Sequence, residues 1–488
     1  MLCAEPNPSC GKCVKIGGIR APVNRPQKRL TGYHGKGSLA AMNHPLLDEE
    51  GKAIRDPVWG YIYLPHPLLA LIDTVEFQRL RNISQLGFVH LVYPGARHSR
   101  FEHSLGVYHL AKQFLVRLLK SDPPLVLEDE DVRVFLAATL LHDIGHYPFS
   151  HTLEELTTFF VNHEERARAV IEDPAGEINR ILRQELDVDP VRVANVIDYE
   201  STERPVPPRD LLLANILSGT LDPDKIDYLL RDSLFCGVPF GESVNRDRLI
   251  SSIKYDPDRQ RLAITSKGVS AVESLVFTNY LMYRNVYWHH TVRSATAMFK
   301  RSVQDALVHP DCTLGIGDFS GITEGELIEL LRREQERLGL EGSIRLLNGV
   351  VDRRLHKLAT FIYPGERKQG LMHYLYDLYQ HPDKRRLKEI ELSRGFGERL
   401  GQQVSGDEIL IDIPRFDKSP EVDLKVFYDG YVPSDKPQPL SFDDPEVSRL
   451  RESLLDNFED QAKIFRIFCG RDSGLFDLAK DEAKRCLS

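Results

Sequence analysis

Ten consecutive residues, His142 to His151, place three histidines and one aspartate directly behind the apolar run Val134–Leu141. This arrangement constrains the fold more than any other feature, because an apolar run of this kind is typical of a buried helix. While the helix lasts, His142 and His146 lie on one face, four residues apart. Burying so many ionisable groups without a partner is costly. The segment therefore predicts a metal site inside the fold, against the alternative of hydrogen-bonded core residues.

A metal ion needs more ligands than this segment offers, and two other segments can supply them. Upstream, His103 lies where a loop is expected to meet an amphipathic helix beginning near Ser104. Downstream, Asp222 suits a helix N-cap and Pro223 suits the first helical position. On that helix one face carries an acid, an aromatic ring and an acid at four-residue intervals: Asp224, Tyr228 and Asp232. This face is the predicted floor of a nucleotide site.

The order His103, His142-Asp143 and Asp224 resembles the signature of the HD-domain metal-dependent phosphohydrolases. The strings Arg-Leu-Arg-Asn-Ile-Ser-Gln-Leu-Gly at 79–87 and Asp-Lys-Ile-Asp-Tyr at 224–228 are similar to those of its deoxynucleoside triphosphate triphosphohydrolase branch. The resemblance implies a mainly α fold, an HD helical bundle with a small β-hairpin and a mixed α/β C-terminal lobe. It also implies metal-dependent hydrolysis of a deoxynucleoside triphosphate to a deoxynucleoside and triphosphate.

The resemblance assigns a role to each residue of the expected reaction centre. The metal ligands are His103, His142, Asp143 and Asp224. Their mixed imidazole and carboxylate chemistry suits a divalent Mn, Mg, Fe, Ni or Zn ion without choosing among them. The residues expected to handle the attacking water or the departing 5′ oxygen are His146, His163, Glu154 and His151. Arg100 and Lys225 are expected to hold the phosphates.

The same resemblance assigns the contacts to sugar and base. Gln85 and Asp232 match groups that bind the deoxyribose 3′-hydroxyl, Tyr228 matches the ring under the sugar, and Leu86 lies near the base end. In the later helix around 277–290 a gap-free alignment departs from the pattern. It offers Arg284 for lost phosphate charge and Trp288 for base stacking.

A second nucleotide site is expected from a further set of matches. Asp73, Gln78 and Arg81 resemble residues that read a guanine effector, and Lys52 is a weaker match. Arg353 and Lys357 resemble phosphate contacts made by a partner subunit. The implied partner is a second copy of this chain in a homo-oligomer, a tetramer or a dimer. The alternative is that basic pairs such as Arg353-Arg354 are a solvated helix face.

Pattern and composition predict three regions: a tail at 1–50, the HD core at 51–310 and a mixed lobe at 311–488. Within them we expect a hairpin over 253–265, a helix capped by Thr323 and Glu326 that runs to Leu338, and strands at 409–413 and 424–428. A long helix is expected from Glu446 to Phe468. The core and the lobe are both expected to contribute to function, the lobe through oligomerisation or regulation.

The composition is that of an ordinary globular enzyme, with 488 residues, 42% of them hydrophobic, and a formal charge of −9. No run of eighteen apolar residues exists, so no membrane span is predicted. Seven sparse cysteines favour a reducing cytoplasm. Three rival functions stay open: another HD phosphohydrolase acting on cyclic nucleotides or nucleoside monophosphates, a single-strand nuclease, and a nucleotide-sensing scaffold. Nucleic acid is an unlikely partner because no long basic, aromatic-lined stripe is present.

Overall fold

The structure, a computed structural model, describes most of the chain after the first 43 residues. The described ranges are 44–363, 369–413, 423–428, 439–450, 464–471 and 473–487. The tail predicted at 1–50 therefore lies outside the described residues except for its end. There His44 caps a 3-10 turn at Pro45–Leu47, because its side chain accepts a hydrogen bond from the Leu46 amide. The predicted boundary between residues 310 and 311 stays a prediction.

The protein is mainly helical, as predicted. Eighteen α-helices lie in the described residues. They are α1 His66–Ile72, α2 Val75–Arg79, α3 Arg100–Leu119, α4 Asp129–Leu141, α5 Ser150–Glu154, α6 His163–Glu172, α7 Glu177–Gln184, α8 Pro190–Ile197, α9 Pro208–Leu217, α10 Pro223–Cys236, α11 Arg246–Ser252, α12 Val269–Met282, α13 His290–Leu307, α14 Glu324–Leu338, α15 Glu341–Val351, α16 Gln369–Gln380, α17 Pro382–Arg399 and α18 Ser473–Leu487. None of these helices is long and apolar enough to cross a membrane.

Nine short strands form three small sheets in the described residues. The strands are β1 Lys52–Asp56, β2 Gly60–Leu64, β3 Ile253–Asp256, β4 Arg261–Thr265, β5 Lys357–Ile362, β6 Ile409–Asp412, β7 Lys425–Phe427, β8 Leu440–Ser441 and β9 Phe465–Cys469. The sheet orders are β1-β2, β3-β4-β7-β8 and β5-β9-β6. The predicted hairpin over 253–265 is confirmed as β3 and β4, and the predicted strands near 409 and 424 are confirmed as β6 and β7.

The prediction of a long helix from Glu446 to Phe468 is wrong at its C-terminal end. Phe465–Cys469 is strand β9, the middle strand of its sheet, and it pairs antiparallel with both β5 and β6. All five of its residues are buried. A short apolar run of this length cannot be told from a buried helical segment by periodicity, so the tertiary pairing decides its conformation. Residues 451–463 lie outside the described part.

The hairpin β1–β2 was not expected, because the only hairpin predicted within the region 51–310 was the one over 253–265. The strand β2 shows the alternation that predicts a half-buried strand, since Ile62 and Leu64 are fully buried while Tyr61 is exposed. The turn is fixed by Asp56, whose carboxylate accepts hydrogen bonds from the backbone amides of Val58 and Trp59, each at 2.8 Å. This hairpin brings an indole ring toward the helices.

Two of the segments that carry predicted ligands differ from the helices expected there. The helix α4 ends at Leu141, so the interpretation that His142 and His146 share a helical face is wrong. The chain turns there, and Gly145 is needed because a Cβ on it would lie 2.0 Å from the His163 carbonyl oxygen on α6. The helix α3 begins at Arg100, which places His103 in its first turn.

The local predictions for the two capped helices are confirmed. Asp222 caps α10 by accepting a hydrogen bond from the Lys225 amide at 2.6 Å, and Pro223 occupies the first position. Thr323 and Glu326 form the expected capping box at the start of α14. These caps depend on side chains within three residues of each other, and sequence patterns can reveal such short-range contacts. The cap on α10 fixes where Asp224 stands.

Candidate metal centre and substrate pocket

The four predicted metal ligands come from three separate elements and meet at one point. The Nε2 atom of His103 lies 2.9 Å from Oδ1 of Asp224 and 3.4 Å from Nε2 of His142. The Nε2 atom of His142 lies 3.5 Å from Oδ1 of Asp143 and 3.9 Å from Oδ1 of Asp224. The start of α3, the end of α4 and the first turn of α10 therefore converge.

The donor set fits a divalent cation. The Nδ1 atom of His142 lies 2.9 Å from the Thr139 carbonyl oxygen, and Nδ1 of His103 lies 2.8 Å from Oδ2 of Asp227. Each Nδ1 is thus occupied as a donor, which leaves both Nε2 lone pairs for the centre. Ligand atoms bound at about 2.1 Å to one ion lie about 3 to 3.5 Å apart. The separations between donor atoms here, 2.9 to 3.9 Å, span that range and exceed it by up to 0.4 Å, and His103, His142 and Asp143 offer atoms within 4.8 Å of one another.

The electrostatics of the centre favour a cation among the ligands. Burial disfavours the charged form of His103, but contacts with Asp224 and Asp227 outweigh it and raise the pKa of His103 to about 10. Burial also opposes ionisation of Asp143. The Arg100 guanidinium, 2.9 Å away, and nearby histidines overcome that effect and hold the pKa of the Asp143 carboxyl well below its usual range. The carboxylates that attract a proton to this site attract a metal ion in the same way.

The residues predicted to move protons form a second group beside the ligands. The rings of His146 and His163 are stacked, with centroids 3.7 Å apart. The Nε2 atom of His146 lies 2.9 Å from Oδ1 of Asp143, and Nδ1 of His163 lies 3.1 Å from Oε1 of Glu154. The His151 side chain is 61% exposed, and its Nδ1 lies 3.6 Å from Oε2 of Glu154. The group therefore runs from the buried ligands to the solvent-facing side of the centre.

Burial and neighbouring charges shift the pKa values of the two stacked rings in opposite directions. Burial, followed by the charges of Arg100 and His163, lowers the pKa of His146 well below its usual range. Burial also acts against protonated His163, but Glu154 outweighs it and raises the pKa of His163. Glu154 is buried, yet its contacts with His151 and His163 hold its pKa well below its usual range. Burial thus favours the neutral form of His146, and Glu154 favours the protonated form of His163.

The backbone that presents His151 and Glu154 is turned sharply before α5. Phe149 lies in the left-handed region at φ 53°, which L residues rarely adopt. Its ring stacks on Phe88 with centroids 4.6 Å apart and packs on Phe299 at 4.8 Å. Aromatic packing holds this conformation, and the turn directs α5 toward the centre.

The two predicted phosphate residues are placed differently. Arg100 is buried beside Asp143, and its Nε has no hydrogen-bond partner among the described residues. The Lys225 ammonium donates to the carbonyls of Gly219 and Thr220, at 3.1 and 3.2 Å, and lies 3.3 Å from Oδ2 of Asp222. Lys225 must exchange these contacts to reach a phosphate, whereas Arg100 already has an unpaired donor.

Two of the predicted sugar residues, Gln85 and Asp232, are buried and are linked through His98. Asp232 is fully buried, and its carboxylate oxygens lie 2.8 Å from Nε2 of His98 and 2.6 Å from the hydroxyl of Tyr287. The backbone amide of Gln85 donates to the His98 carbonyl at 3.1 Å. The side-chain Oε1 of Gln85 is buried without a hydrogen-bond partner among the described residues. Sequence reasoning missed His98 and Tyr287. The position of His98, two residues before Arg100, was a usable signal for it.

The segment predicted to contact the base reaches Asp232 through a different residue from the one expected. Residues Tyr283–Tyr287 form a π-helical turn. This turn brings the Tyr287 hydroxyl onto Asp232, one residue before the predicted Trp288. The Trp288 ring packs against Tyr283, with centroids 5.7 Å apart, and Arg284 is exposed and donates to the Tyr280 hydroxyl at 2.8 Å.

The ring predicted to lie under the sugar, Tyr228, is partly buried against the main core. Burial, followed by the neighbours Tyr283 and Asp224, raises the pKa of Tyr228 well above its usual range. Tyr228 therefore stays neutral and can serve as an apolar surface with one hydroxyl. Leu86 is partly buried against the main core, at the start of the 3-10 turn Gly87–Leu91.

The predicted effector residues lie on the outer face of α1 and α2 and near β5. Gln78 donates to the Ile72 carbonyl and accepts from Nε of Arg81, each at 2.8 Å, and the Arg81 guanidinium lies 3.5 Å from the centroid of the Phe101 ring. The remaining four residues lie apart: Asp73 lines a cleft of about 250 Å³ between α1 and α7, Lys52 begins β1, Arg353 donates to the Leu91 carbonyl, and Lys357 begins β5.

Comparison with known proteins identifies two regions of this chain. Residues 100–228 match the HD domain, and residues 244–436 match the HD associated region. The first region contains all four predicted ligands and the acid–base group. The second contains the π-helical turn and also strand β6 of the three-stranded sheet.

Individual relatives agree with these matches. The chain is 36% identical over 258 residues to the uncharacterised protein YwfO of Bacillus subtilis, which covers 53% of this chain and 56% of YwfO. It is 29% identical over 335 residues to the deoxynucleoside triphosphate triphosphohydrolase SAMHD1 homolog of Dictyostelium discoideum, covering 64% of this chain and 61% of that protein. The chain thus spans little more than half the length of these relatives. A solved phosphohydrolase structure from Bacteroides thetaiotaomicron has the same fold, with a TM-score of 0.64 and 24% identity, over 87% of this chain and 100% of that one.

Proposed function

Because this chain belongs to the HD-domain family of metal-dependent phosphohydrolases, we propose that its reaction is hydrolysis of deoxynucleoside triphosphates to a deoxynucleoside and inorganic triphosphate. The observation that carries the proposal is the shared helix α10. Its first turn supplies the ligand Asp224, and two turns later, about 12 Å along the axis, it supplies Asp232. A metal centre and a pocket for a hydroxyl-bearing sugar thereby lie on one helix face.

Binding of the triphosphate relies on fixed positive charge. The residues that hold the ion are His103, His142, Asp143 and Asp224. When bound, the ion supplies Lewis-acid chemistry that draws charge from a phosphoryl oxygen and makes water a nucleophile near neutral pH. Arg100 is already oriented by Asp143, and its buried Nε–H, which has no hydrogen-bond partner among the described residues, can donate to a phosphate oxygen. Such preorganised charge is the main contribution a protein makes to phosphoryl transfer.

Proton transfer is divided between two histidines. The neutral His146 has a buried Nδ1 with no hydrogen-bond partner among the described residues, so this atom can accept a proton from the attacking water. His151 is solvent-accessible and can deliver a proton to the departing 5′ oxygen. Glu154 lies between them, with Oε1 3.8 Å from Nδ1 of His146 and Oε2 3.6 Å from Nδ1 of His151, and it can return the proton between turnovers.

Sugar recognition relies on hydrogen bonds that are already aligned. Asp232 is held by His98 and Tyr287, so its carboxylate has a fixed direction, and Gln85 offers an unsatisfied carbonyl. A deoxyribose 3′-hydroxyl has one proton, which it can donate either to the Gln85 carbonyl or to the Asp232 carboxylate. Tyr228 occupies the face on which a 2′-hydroxyl would project, which favours a deoxyribose over a ribose.

The reaction class is tested by identifying the products. The purified protein is incubated with each of the four deoxynucleoside triphosphates and with Mn²⁺, Mg²⁺, Fe²⁺, Ni²⁺ or Zn²⁺. Release of intact triphosphate supports the proposal. Pyrophosphate, orthophosphate or cleavage confined to cyclic nucleotides, nucleoside monophosphates or a labelled single strand contradicts it and favours the alternative of another HD phosphohydrolase.

The sugar pocket is tested with Gln85→Ala. Removing the side-chain amide takes away one contact to the 3′-hydroxyl, so discrimination between a deoxynucleoside triphosphate and its 3′-deoxy analogue falls by about tenfold. The specificity ratio is measured as kcat/KM for the two substrates. An unchanged ratio contradicts the assignment of Gln85.

Regulation by a nucleotide is the second part of the proposal. Gln78 and Arg81 are hydrogen-bonded and the cleft beside Asp73 is open, which supports an effector site completed by Arg353 and Lys357 of a second copy of the chain. Light scattering with and without dGTP, GTP or dATP tests it. Assembly into a dimer or tetramer together with activation supports it, and a constant mass and rate contradict it.

A further inference from the structure

A buried carboxylate lies directly behind one of the metal ligands. Asp227 is fully buried, and its Oδ2 lies 2.8 Å from Nδ1 of His103 and 2.8 Å from Nε of Arg231. Its Oδ1 accepts from Nη2 of Arg231 at 2.9 Å and from the indole Nε1 of Trp59 at 2.5 Å. Three residues therefore fix both oxygens of the carboxylate that holds the His103 ring.

Two of the residues in this cluster come from a separate element, the hairpin β1–β2. Trp59 lies in its turn, and Asp56 at the end of β1 accepts from Nη1 of Arg231 at 2.8 Å. The hairpin precedes the matched HD region by more than 30 residues. It is nonetheless joined to the centre through two hydrogen bonds, one to Asp227 and one to Arg231.

The cluster has an excess of negative charge. Asp56 and Asp227 carry two negative charges against the single positive charge of Arg231, and all three are buried. The remaining negative charge faces the imidazole of His103. A carboxylate that accepts from the remote nitrogen of an imidazole orients the ring and makes the other nitrogen a stronger ligand. Trp59 suits this arrangement because its indole N–H fixes the carboxylate without adding a positive charge that would weaken the effect.

The opposing helix is shaped to admit this cluster. A Cβ on Gly106 of α3 would lie 1.9 Å from Oδ1 of Asp227 and 2.5 Å from Nη2 of Arg231. Only a glycine therefore lets α3 and α10 approach with these side chains between them. The glycine lies three residues after His103, so the same stretch of α3 supplies both the ligand and the space for its support.

We propose that the hairpin Lys52–Leu64 is part of the metal centre, with Trp59 and Asp56 acting as positioning residues that hold Asp227 on His103 and so set the affinity for the metal ion. The inference concerns retention of the ion and is independent of which phosphoester is cleaved.

The test measures metal binding without any substrate. Purified protein is stripped with chelator and titrated with Mn²⁺ alone, and free ion is followed by electron paramagnetic resonance. Asp227→Asn is expected to weaken Mn²⁺ affinity about 10- to 100-fold. Trp59→Phe keeps the ring but loses the donor, and an affinity loss of at least about threefold is expected. Tyr61→Phe is the matched control on the same hairpin, because its ring is 54% exposed, and wild-type affinity is expected.

Two further measurements separate positioning from packing. The Tm of each metal-free variant reports any loss of fold alone, and Trp59→His, which retains a ring N–H, is expected to restore most of the affinity. If Trp59→Phe does not fold, Asp56→Asn takes its place with the same expected loss. Wild-type Mn²⁺ affinity in folded Trp59→Phe or Asp56→Asn protein, whatever its Tm, overturns the proposal.

Discussion

Glu154 and Glu155 are neighbours in the chain, but they belong to two different clusters of buried charge. Glu154 faces the metal centre, where it contacts His163 and His151. Glu155 turns the other way and accepts hydrogen bonds from Arg293, at 2.9 Å, and from Lys300. The peptide between them is the boundary between a reactive region and a structural one.

The two clusters differ in the balance of their charges. In the structural cluster Arg293 lies between Glu155 and Asp412 of β6, with guanidinium–carboxylate distances of 2.5 to 3.2 Å. Arg293 and Lys300 contact the two carboxylates, and Nη1 of Arg466 lies 3.9 Å from Oδ2 of Asp412. At the metal centre Arg100 pairs with Asp143, but the predicted ligand atoms themselves are imidazole nitrogens and carboxylate oxygens, which offer lone pairs to a cation. The structural cluster thus contains its own counter-charges, whereas the predicted ligands are arranged to accept a cation from outside.

The largest effect is expected from Asp143→Ala. Losing a ligand that also orients Arg100 and His146 should reduce hydrolysis at least about a thousandfold while leaving the fold largely intact. Product formation and circular dichroism measure the two properties. Asp258→Ala, at an exposed turn, is the control. If Asp143→Ala retains hydrolysis, the cluster around Asp143 is not the reactive site.

Arg293→Met should instead act on stability. It removes the guanidinium that contacts both buried carboxylates, so that Glu155 keeps only Lys300 and Asp412 keeps only Arg466, whose Nη1 lies 3.9 Å away. Breaking a buried ion pair in this way costs about 3 to 5 kcal/mol in the free energy of unfolding. Urea denaturation measures it. The control is Arg259→Met, since Arg259 pairs with Asp423 at the surface and such pairs contribute less than about 1 kcal/mol. Equal losses in the two variants would show that the buried cluster is not a cross-link.

The stabilisation that a bound metal ion gives to the folded protein should depend on the metal centre and not on the structural cluster. At an ion concentration about 100 times its Kd, binding stabilises the folded protein by about 2.7 kcal/mol. The rise in Tm on adding Mn²⁺ should therefore appear in wild-type and Arg293→Met protein and disappear in Asp143→Ala. A rise that persists in Asp143→Ala would place the ion elsewhere.

The smallest effect concerns pH. Burial opposes ionisation of Glu155, but Arg293 and Lys300 outweigh it and depress its pKa far below the usual value. A depressed carboxyl pKa contributes stability that is present above the unfolded pKa, near about 4.3, and lost as pH falls toward the folded one. The stability difference between wild type and Glu155→Gln should thus shrink by about 1 kcal/mol per pH unit below pH 4. Denaturation between pH 3 and pH 6 measures it, and a difference that is constant over this range contradicts the assignment.

The sequence alone determined the parts of this protein that depend on short-range contacts. The cap of α10 by Asp222, the capping box at Thr323 and the hairpin over 253–265 all follow from side chains a few residues apart. The four predicted metal ligands could be named from the sequence because each lies in a recognisable string, and the structure brings their side chains close together.

Only the tertiary structure decided which distant residues complete the site. Asp232 meets Tyr287 across 55 residues, and Asp227 meets Trp59 across 168. Neither contact can be predicted from a periodic pattern in the neighbouring sequence. The helix predicted through Phe468 is wrong for the same reason, because the strand Phe465–Cys469 pairs with β5 and β6, which lie more than 50 residues away. Local patterns determine caps, turns and ligand types. The approach of separate elements, driven by burial, decides which carboxylate binds a proton, a guanidinium or a metal ion.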